Sequence, residues 1–467
     1  MYTAIIGFLN DILYRPYVVP LILLASGLFF TFRSGFIQIR LFGEMLYVVG
    51  EKPTDKDGIS SFAALMVSTA SRVGTGNIIG VSTALCCGGC GSVFWLWVTA
   101  LVGGASAFVE STLAQIYKRR DSDGTSYGGP SYYMETALKQ RWLGVVFSVI
   151  IILTYAVGYN MLASYNLQSC FEGFAFYGTS TPLVIGIILA VLFGWIILGG
   201  GKKLTKVTEL LVPVMGVLYI AVSLLVLVIN FGNLGAMFAN IFRDAFNFKA
   251  IFGGFTGSCV MWGVKRGLYS NEAGMGSAPN AAATADVSHP VKQGLVQMLS
   301  VFLDSLLICT ATAFMCLSSG VAPTEAAKGA PYVQAAMQKS LGNFGPVFIA
   351  VALSLFAFTT LIGNYYYCEG CLRFIQKKKP DKKFLLVFRL AATALVFVGA
   401  ILSAGIVWDT ADALQGLMVV INVPVILILT KPAMAALKDY TDQRKAGKEP
   451  VYAARNCGIK EETEYWN

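Results

Sequence analysis

Apolar residues run through this chain in blocks of about 20, the length of a helix that crosses the hydrocarbon core of a bilayer. The blocks fall near 14–32, 62–86, 92–117, 144–170, 183–200, 207–230, 250–287, 291–319, 345–372, 385–405 and 410–430. They predict an all-α polytopic membrane protein with about eleven transmembrane helices. Two blocks are interrupted. The second reads Ala63 to Leu85 with Val73-Gly74-Thr75-Gly76-Asn77 at its centre. Two glycines in three residues, beside a β-branched Thr and an Asn, are poor helix formers. The seventh block carries Ser270-Asn271-Glu272-Ala273-Gly274-Met275-Gly276-Ser277, again with G-x-G at its middle. A broken helix in lipid strands backbone N–H and C=O groups at several kcal/mol each, so it persists only where it lines a cavity or binds something.

The seventh block admits two readings. One puts its break at Gly253, Gly254 and Gly257. The preferred one puts it at 270–277, with Pro279 starting a short Ala-rich second half, since Pro is favourable in a first helical turn. That reading leaves Lys265 and Arg266 at membrane depth, where they require partners.

Charge orients the spans. Of 35 Lys and Arg, 26 fall on one side, five on the other, and Arg72, Lys265, Arg266 and Arg389 within or beside spans. The positive-inside rule then predicts an external N-terminus and a cytoplasmic tail from Lys431. The net charge of +9 follows from these loops and implies no nucleic-acid partner. The tail after Ala436 reads as a solvated, charged segment. Pro16 to Phe32 runs into Arg33-Ser34-Gly35 without a small-residue cleavage pattern, as a retained span would.

Spans two and seven start five spans apart, so spans 2–6 and 7–11 form two sets of opposite orientation. That is an inverted repeat, and paired interrupted segments are the best sequence pointer to a transporter's site. The predicted parts are 1–61 (an extra helix and loop), 62–249 (first repeat, broken at 73–77), 250–430 (second repeat, broken at 270–277) and 431–467 (tail).

Composition then narrows the chemistry. The chain is 56% hydrophobic and only 13% charged, far from a soluble protein's ~25% charged residues. Cys87-x-x-Cys90 and Cys368-x-x-Cys371 lie at opposite faces, roughly 30 Å apart, and His289 is the only histidine. No transition-metal site or enzymatic cofactor is expected. A nucleotide loop is excluded, since Gly199-Gly200-Gly201-Lys202 lacks Walker spacing. A membrane-embedded enzyme has little support without a Ser/His or paired-carboxylate arrangement. A channel would have no use for two opposed breaks.

At the first break, the N–H groups of Thr75, Gly76 and Asn77 begin a half-helix whose positive end suits an anion. The carbonyls of Ala70 and Val73 end the other half and suit a hard cation. An amino-acid carboxylate beside a co-transported Na⁺ fits both demands; a proton carried by Glu272 or Asp304 is the alternative coupling. Arg72, beside the break, is expected to pair with Asp304 or Glu272. Asn160, Asn166 and Gln168 in span four, and Thr359, Thr360 and Asn364 in span nine, are further polar candidates, although isolated polar residues in spans commonly join helices.

Several of these stretches resemble the alanine/glycine:cation symporter family: Ser71-Arg72-Val73-Gly74-Thr75-Gly76-Asn77-Ile78, Phe94-Trp95-Leu96-Trp97-Val98, Tyr127-Gly128-Gly129-Pro130-Ser131-Tyr132-Tyr133, Lys265 through Pro279 and His289-Pro290-Val291-Lys292-Gln293-Gly294. The resemblance covers about Ser60 to Pro432. It implies a LeuT-type 5+5 inverted repeat with one extra N-terminal helix, Na⁺-coupled uptake of small neutral amino acids, and a bacterial or archaeal plasma membrane. By motif position it implies that Gly74, Thr75, Gly76, Asn77, Gln168, Gly274 and Met275 meet substrate, and that Ala70, Val73, Thr359 and Thr360 surround Na⁺. Asn364 stands where some members carry Trp, which would make the pocket roomier and more polar, open to serine or glutamine as well as alanine and glycine. No obligate protein partner is expected; the partners are the amino acid, Na⁺ and the bilayer.

Overall fold

The computed structural model describes residues 2–15, 17–55, 58–121, 124–247, 258–459, 461 and 463–466. Two helices open it, α1 (Tyr2–Tyr14) and α2 (Val18–Arg33), with Tyr17 at φ 63° turning the chain between them. The first predicted span is α2; α1 is additional. The second span is α3 (Ser61–Arg72) and α4 (Gly76–Gly88). Then come α5 (Ser92–Ile116), α6 (Arg141–Ser169), α7 (Thr181–Ile197), α8 (Gly201–Ile229) and a short amphipathic α9 (Leu234–Ala245). The seventh span is α10 (Cys259–Asn271) and the single turn α11 (Pro279–Ala282). The chain continues through α12 (Pro290–Ser318), α13 (Ala330–Leu341), α14 (Phe344–Gln376), α15 (Lys382–Ile401), α16 (Ala404–Ile428) and α17 (Thr430–Lys445). The alternative break at Gly253, Gly254 and Gly257 lies outside the described residues.

The two broken spans begin alike. Ser60 and Ser258 each cap a helix, their hydroxyls accepting from the N–H of Ala63 and Met261, which satisfies a donor the helix leaves unpaired. Around them, α5 and α12 form the centre, with 67% and 72% of their apolar stretches buried; α8 and α15, at 28% and 22%, face outward. Small residues allow the central contact. A Cβ on Gly294 of α12 would stand 2.2 Å from Thr112 Oγ1 of α5, so only glycine permits this approach.

At the basic end the tail docks on the helices, with only part of its surface left to solvent. The Trp466 indole donates to the Gln115 carbonyl at 2.7 Å, Tyr452 N–H donates to Ser288, and the Tyr465 hydroxyl donates to Asp286 at 3.0 Å. Lys118 is buried beneath Tyr465, 3.8 Å from its ring centroid, and donates to the Ala285 carbonyl. Charge counting misjudged the tail because Tyr440, Tyr452 and Trp466 carry its apolar area, and the Tyr440 hydroxyl and Trp466 indole find partners in Glu44 and the Gln115 carbonyl.

Candidate functional site

The first break is shorter than its sequence suggests. Helix α3 ends at Arg72, Val73 adopts ψ 88°, and the chain is helical again from Thr75, through a π-turn at Gly76–Gly80. Asn77 explains the early restart: its side-chain oxygen accepts the Gly74 N–H at 2.8 Å. The N–H groups of Thr75 and Gly76 head the new helix, where no intrahelical acceptor precedes them. The two glycines serve close approach. A Cβ on Gly74 would lie 2.0 Å from Thr360 Oγ1, and one on Gly76 would lie 2.8 Å from the Tyr269 ring.

The second break uses the same G-x-G for a different purpose. Gly274 and Gly276 have φ +82° and +80°, and Glu272 has φ 55°, a left-handed region that glycine enters freely and glutamate does not. The Glu110 carboxylate, from α5, accepts the N–H of Gly274 at 3.3 Å and of Gly276 at 3.0 Å. Asn422 of α16 donates to Glu110 at 2.9 Å and to the Gly274 carbonyl at 3.0 Å. The backbone groups freed by this break are therefore met by side chains, as a low-dielectric interior requires. Glu110, a carboxylate inside an apolar span, is expected from sequence to need a partner, but nothing there names it; Asn422, a lone amide in another span, was the signal missed.

The two breaks meet. Ser71 lies within hydrogen-bond distance of Glu272 (3.0 Å) and of Asn364 (2.8 Å), and Ser277 donates to Glu272 at 2.9 Å. Asp304 accepts from Asn77 at 2.7 Å, Ser270 at 2.8 Å and Ser305 at 2.9 Å. Asn77 and Asp304 both sit on π-turns, at Gly76–Gly80 and Phe302–Cys309, a distortion frequent at functional sites. The expected pairing of Arg72 with Asp304 or Glu272 is not made: among the described residues no carboxylate lies within 4.0 Å of Arg72. Its guanidinium donates to the Gln297 carbonyl at 3.1 Å, and its Nε and Nη2 have no hydrogen-bond partner there. Neutral hydroxyls and amides occupy the carboxylates instead.

The remaining candidates divide. Thr360 Oγ1 is buried, unpartnered among the described residues and pressed against Gly74. Thr359 turns away: its hydroxyl donates to the Leu355 and Phe356 carbonyls of its own helix. Ala70 and Val73 are buried at the end of α3. Asn364 donates to Asn160 at 3.0 Å. In α6 the residue touching the break is Asn166, which donates to Thr75 Oγ1 at 3.0 Å; Gln168 accepts from Tyr177. Met275 is buried, with the Tyr159 hydroxyl 3.8 Å from its sulfur.

A cavity of about 460 Å³ opens beside the first break, away from the basic end, with Ile79, Asn166, Arg266, Trp408 and Asp412 among its walls. Here Lys265 and Arg266 find the partner their depth requires. Asp412 lies 2.7 Å from Lys265 Nζ and accepts from both Arg266 terminal nitrogens at 3.1 and 3.3 Å. Gln415 links Asp412 to Tyr14 of α1 and to Tyr159, so the N-terminal helix is wired into this wall.

The model of the sodium:alanine symporter family matches residues 1–454. The amino-acid carrier protein AlsT of Bacillus subtilis is 46% identical over 95% of this chain and 94% of its own length. The probable sodium/glutamine symporter GlnT of the same organism is 45% identical over 96% and 92%. The sodium/alanine symporter AgcS of Methanococcus maripaludis is 36% identical over 95% and 98%. The crystal structure of MhsT in complex with L-phenylalanine superposes with TM-score 0.53 at 13% identity, covering 87% of this chain and 96% of MhsT, which speaks for the fold alone. With two interrupted spans meeting at their breaks inside five plus five helices, this chain belongs to the sodium:alanine symporter family and is a multi-pass membrane transporter of the LeuT-type fold.

Proposed function

We propose that this protein is a symporter that couples downhill Na⁺ entry to uptake of small neutral amino acids by alternating access. The observation that carries the reading is the Thr360 hydroxyl facing Gly74 at the first break, unpartnered among the described residues. A buried hydroxyl without a partner costs free energy unless something binds it. Na⁺ held by the Ala70 and Val73 carbonyls and Thr360 would remove that cost; Thr359 joins only by giving up its own-helix bonds. The substrate carboxylate lies on the N–H groups of Thr75 and Gly76, with Asn77 holding the turn. Met275, Gly274 and Asn364 shape the rest of the pocket, and Gln168 contributes once freed from Tyr177.

The basic face is cytoplasmic in this reading and the N-terminus external. The repeats run 62–249 and 250–430. Membrane potential then supplies about 2.3 kcal/mol per charge per 100 mV. Asn364 and the GlnT likeness favour substrates as large as glutamine beside alanine, glycine and serine. A second reading, proton coupling, draws on Glu272 and Asp304, whose partners are neutral hydroxyls and amides.

Radiolabelled alanine uptake into proteoliposomes tests the proposal, with an inward Na⁺ gradient against a K⁺ control. Accumulation above equilibrium that needs Na⁺ supports it. Uptake that follows an imposed pH gradient and ignores Na⁺ replaces it with proton coupling. Unlabelled glycine, serine and glutamine as competitors rank the substrates.

A further inference from the structure

A hollow of about 510 Å³ lies between α3, α8 and α12, on the outer wall of the bundle. Its floor is buried: Met66 from α3, Val73 just past its end, Val212 from α8 and Ile308 from α12 are each 7% exposed or less. Its rim is open, with Val217 at 69%, Leu224 at 58% and Leu307 at 45% exposure. Two features of α8 create the hollow. Pro213 lies inside the helix, and a Cβ on Gly216 would meet nothing within 4 Å. Thr69 is the only lining residue with a polar side chain, and its hydroxyl is already bonded to Ser300 at 3.0 Å.

Water has nothing to bond here, and a cavity needs polar partners to hold water. Left empty, the floor loses its dispersion contacts on one side. Most of the rim belongs to α8, an outward-facing helix with little of its apolar stretch buried, so hydrocarbon from the bilayer is what reaches the opening. The volume is on the scale of a long fatty-acyl chain, and the walls set no headgroup requirement.

We infer that this groove is a binding site for one acyl chain of a bilayer phospholipid, seated against Val73 at the first helix break. The chain packs on Met66 and Val73 and so braces α3 at the point where it ends. The groove meets the proposed ion position only at Val73; Ala70, Thr360 and Asn166 do not line it.

A phospholipid carrying a photoreactive diazirine on its acyl chain tests this in proteoliposomes of the full chain. After irradiation, labelled residues are mapped by mass spectrometry. Met66 is buried and lines the groove. Expected is labelling of Met66 and Ile220 several-fold denser than of Leu386, Val387 and Leu390 on α15, which are more exposed. Gly216→Phe fills open space and lowers Met66 labelling several-fold while the α15 signal stays. Labelling that merely follows exposure, or Met66 labelling unmoved by Gly216→Phe, overturns the inference. If Gly216→Phe fails to reach the membrane, the wild-type ratio of Met66 to α15 labelling decides alone.

Discussion

The side-chain amide of Asn77 bridges the two halves of the molecule. Its oxygen caps Gly74 at 2.8 Å within its own break, and its nitrogen donates to Asp304 at 2.7 Å in α12. One residue thus ties the restart of the first broken helix to a carboxylate that also receives Ser270 from the second broken span. Asn77→Ala removes both links. It leaves the buried Gly74 N–H unpaired, at about 1–3 kcal/mol, and leaves Asp304 to Ser270 and Ser305 alone. Uptake should fall at least tenfold with membrane expression retained. Unchanged uptake in proteoliposomes would remove Asn77 from the site.

Gly74 and Thr360 are related by contact. Gly74→Ala places a methyl 2.0 Å from Thr360 Oγ1, an overlap that forces displacement and costs ~1–3 kcal/mol. Combining it with Thr360→Ala removes the clash. The double variant should recover the melting temperature of the wild type and yet show no Na⁺-dependent shift of it. Recovery of both would show that Thr360 holds no cation.

Asp412 is 1% exposed and pairs with Lys265 and Arg266. Asp412→Asn keeps the shape and deletes the charge, leaving Arg266, 4% exposed, without its counter-ion. Breaking a buried pair costs about 3–5 kcal/mol. Detergent-solubilised protein should therefore melt well below wild type, whereas Lys265→Gln, at a more exposed position, should cost less. Equal losses would mean that Lys265, not Arg266, carries the pair.

The docked tail should respond to acid. His289 lies at the basic end against Asp439, Lys292 and the edges of Tyr440 and Tyr452. Burial pushes its imidazole down to about 4 from 6.5. Between those values the undocked state binds a proton that the docked state lacks, so docking is strongest above about 6.5 and weakens as pH falls toward 4. Limited proteolysis beyond Lys445 should accelerate over that window, and His289→Gln should flatten the response. A pH-independent digestion rate in the wild type would contradict this.

How much of this was legible beforehand follows from what each feature depends on. Spans, breaks and the inverted order depend on local chemistry, because a bilayer demands about 20 apolar residues per crossing and G-x-G interrupts a helix wherever it stands. The sequence alone therefore determined the all-α membrane class, both breaks, the need of Lys265 and Arg266 for a partner, and the resemblance to the family. Rotation about a helix was another matter. At 3.6 residues per turn, neighbours differ by ~100° and residues two apart by ~200°. That is why Asn166, and not Gln168, meets Thr75, and why Thr360 meets Gly74 and Thr359 faces its own helix. Long-range partners were equally hidden. Only the packed structure assigned Glu110 and Asn422 to the second break, sent Arg72 to Gln297, and folded Tyr452 and Trp466 back onto the basic end. Those contacts join residues far apart in the chain, and burial decides them once the helices have chosen their neighbours.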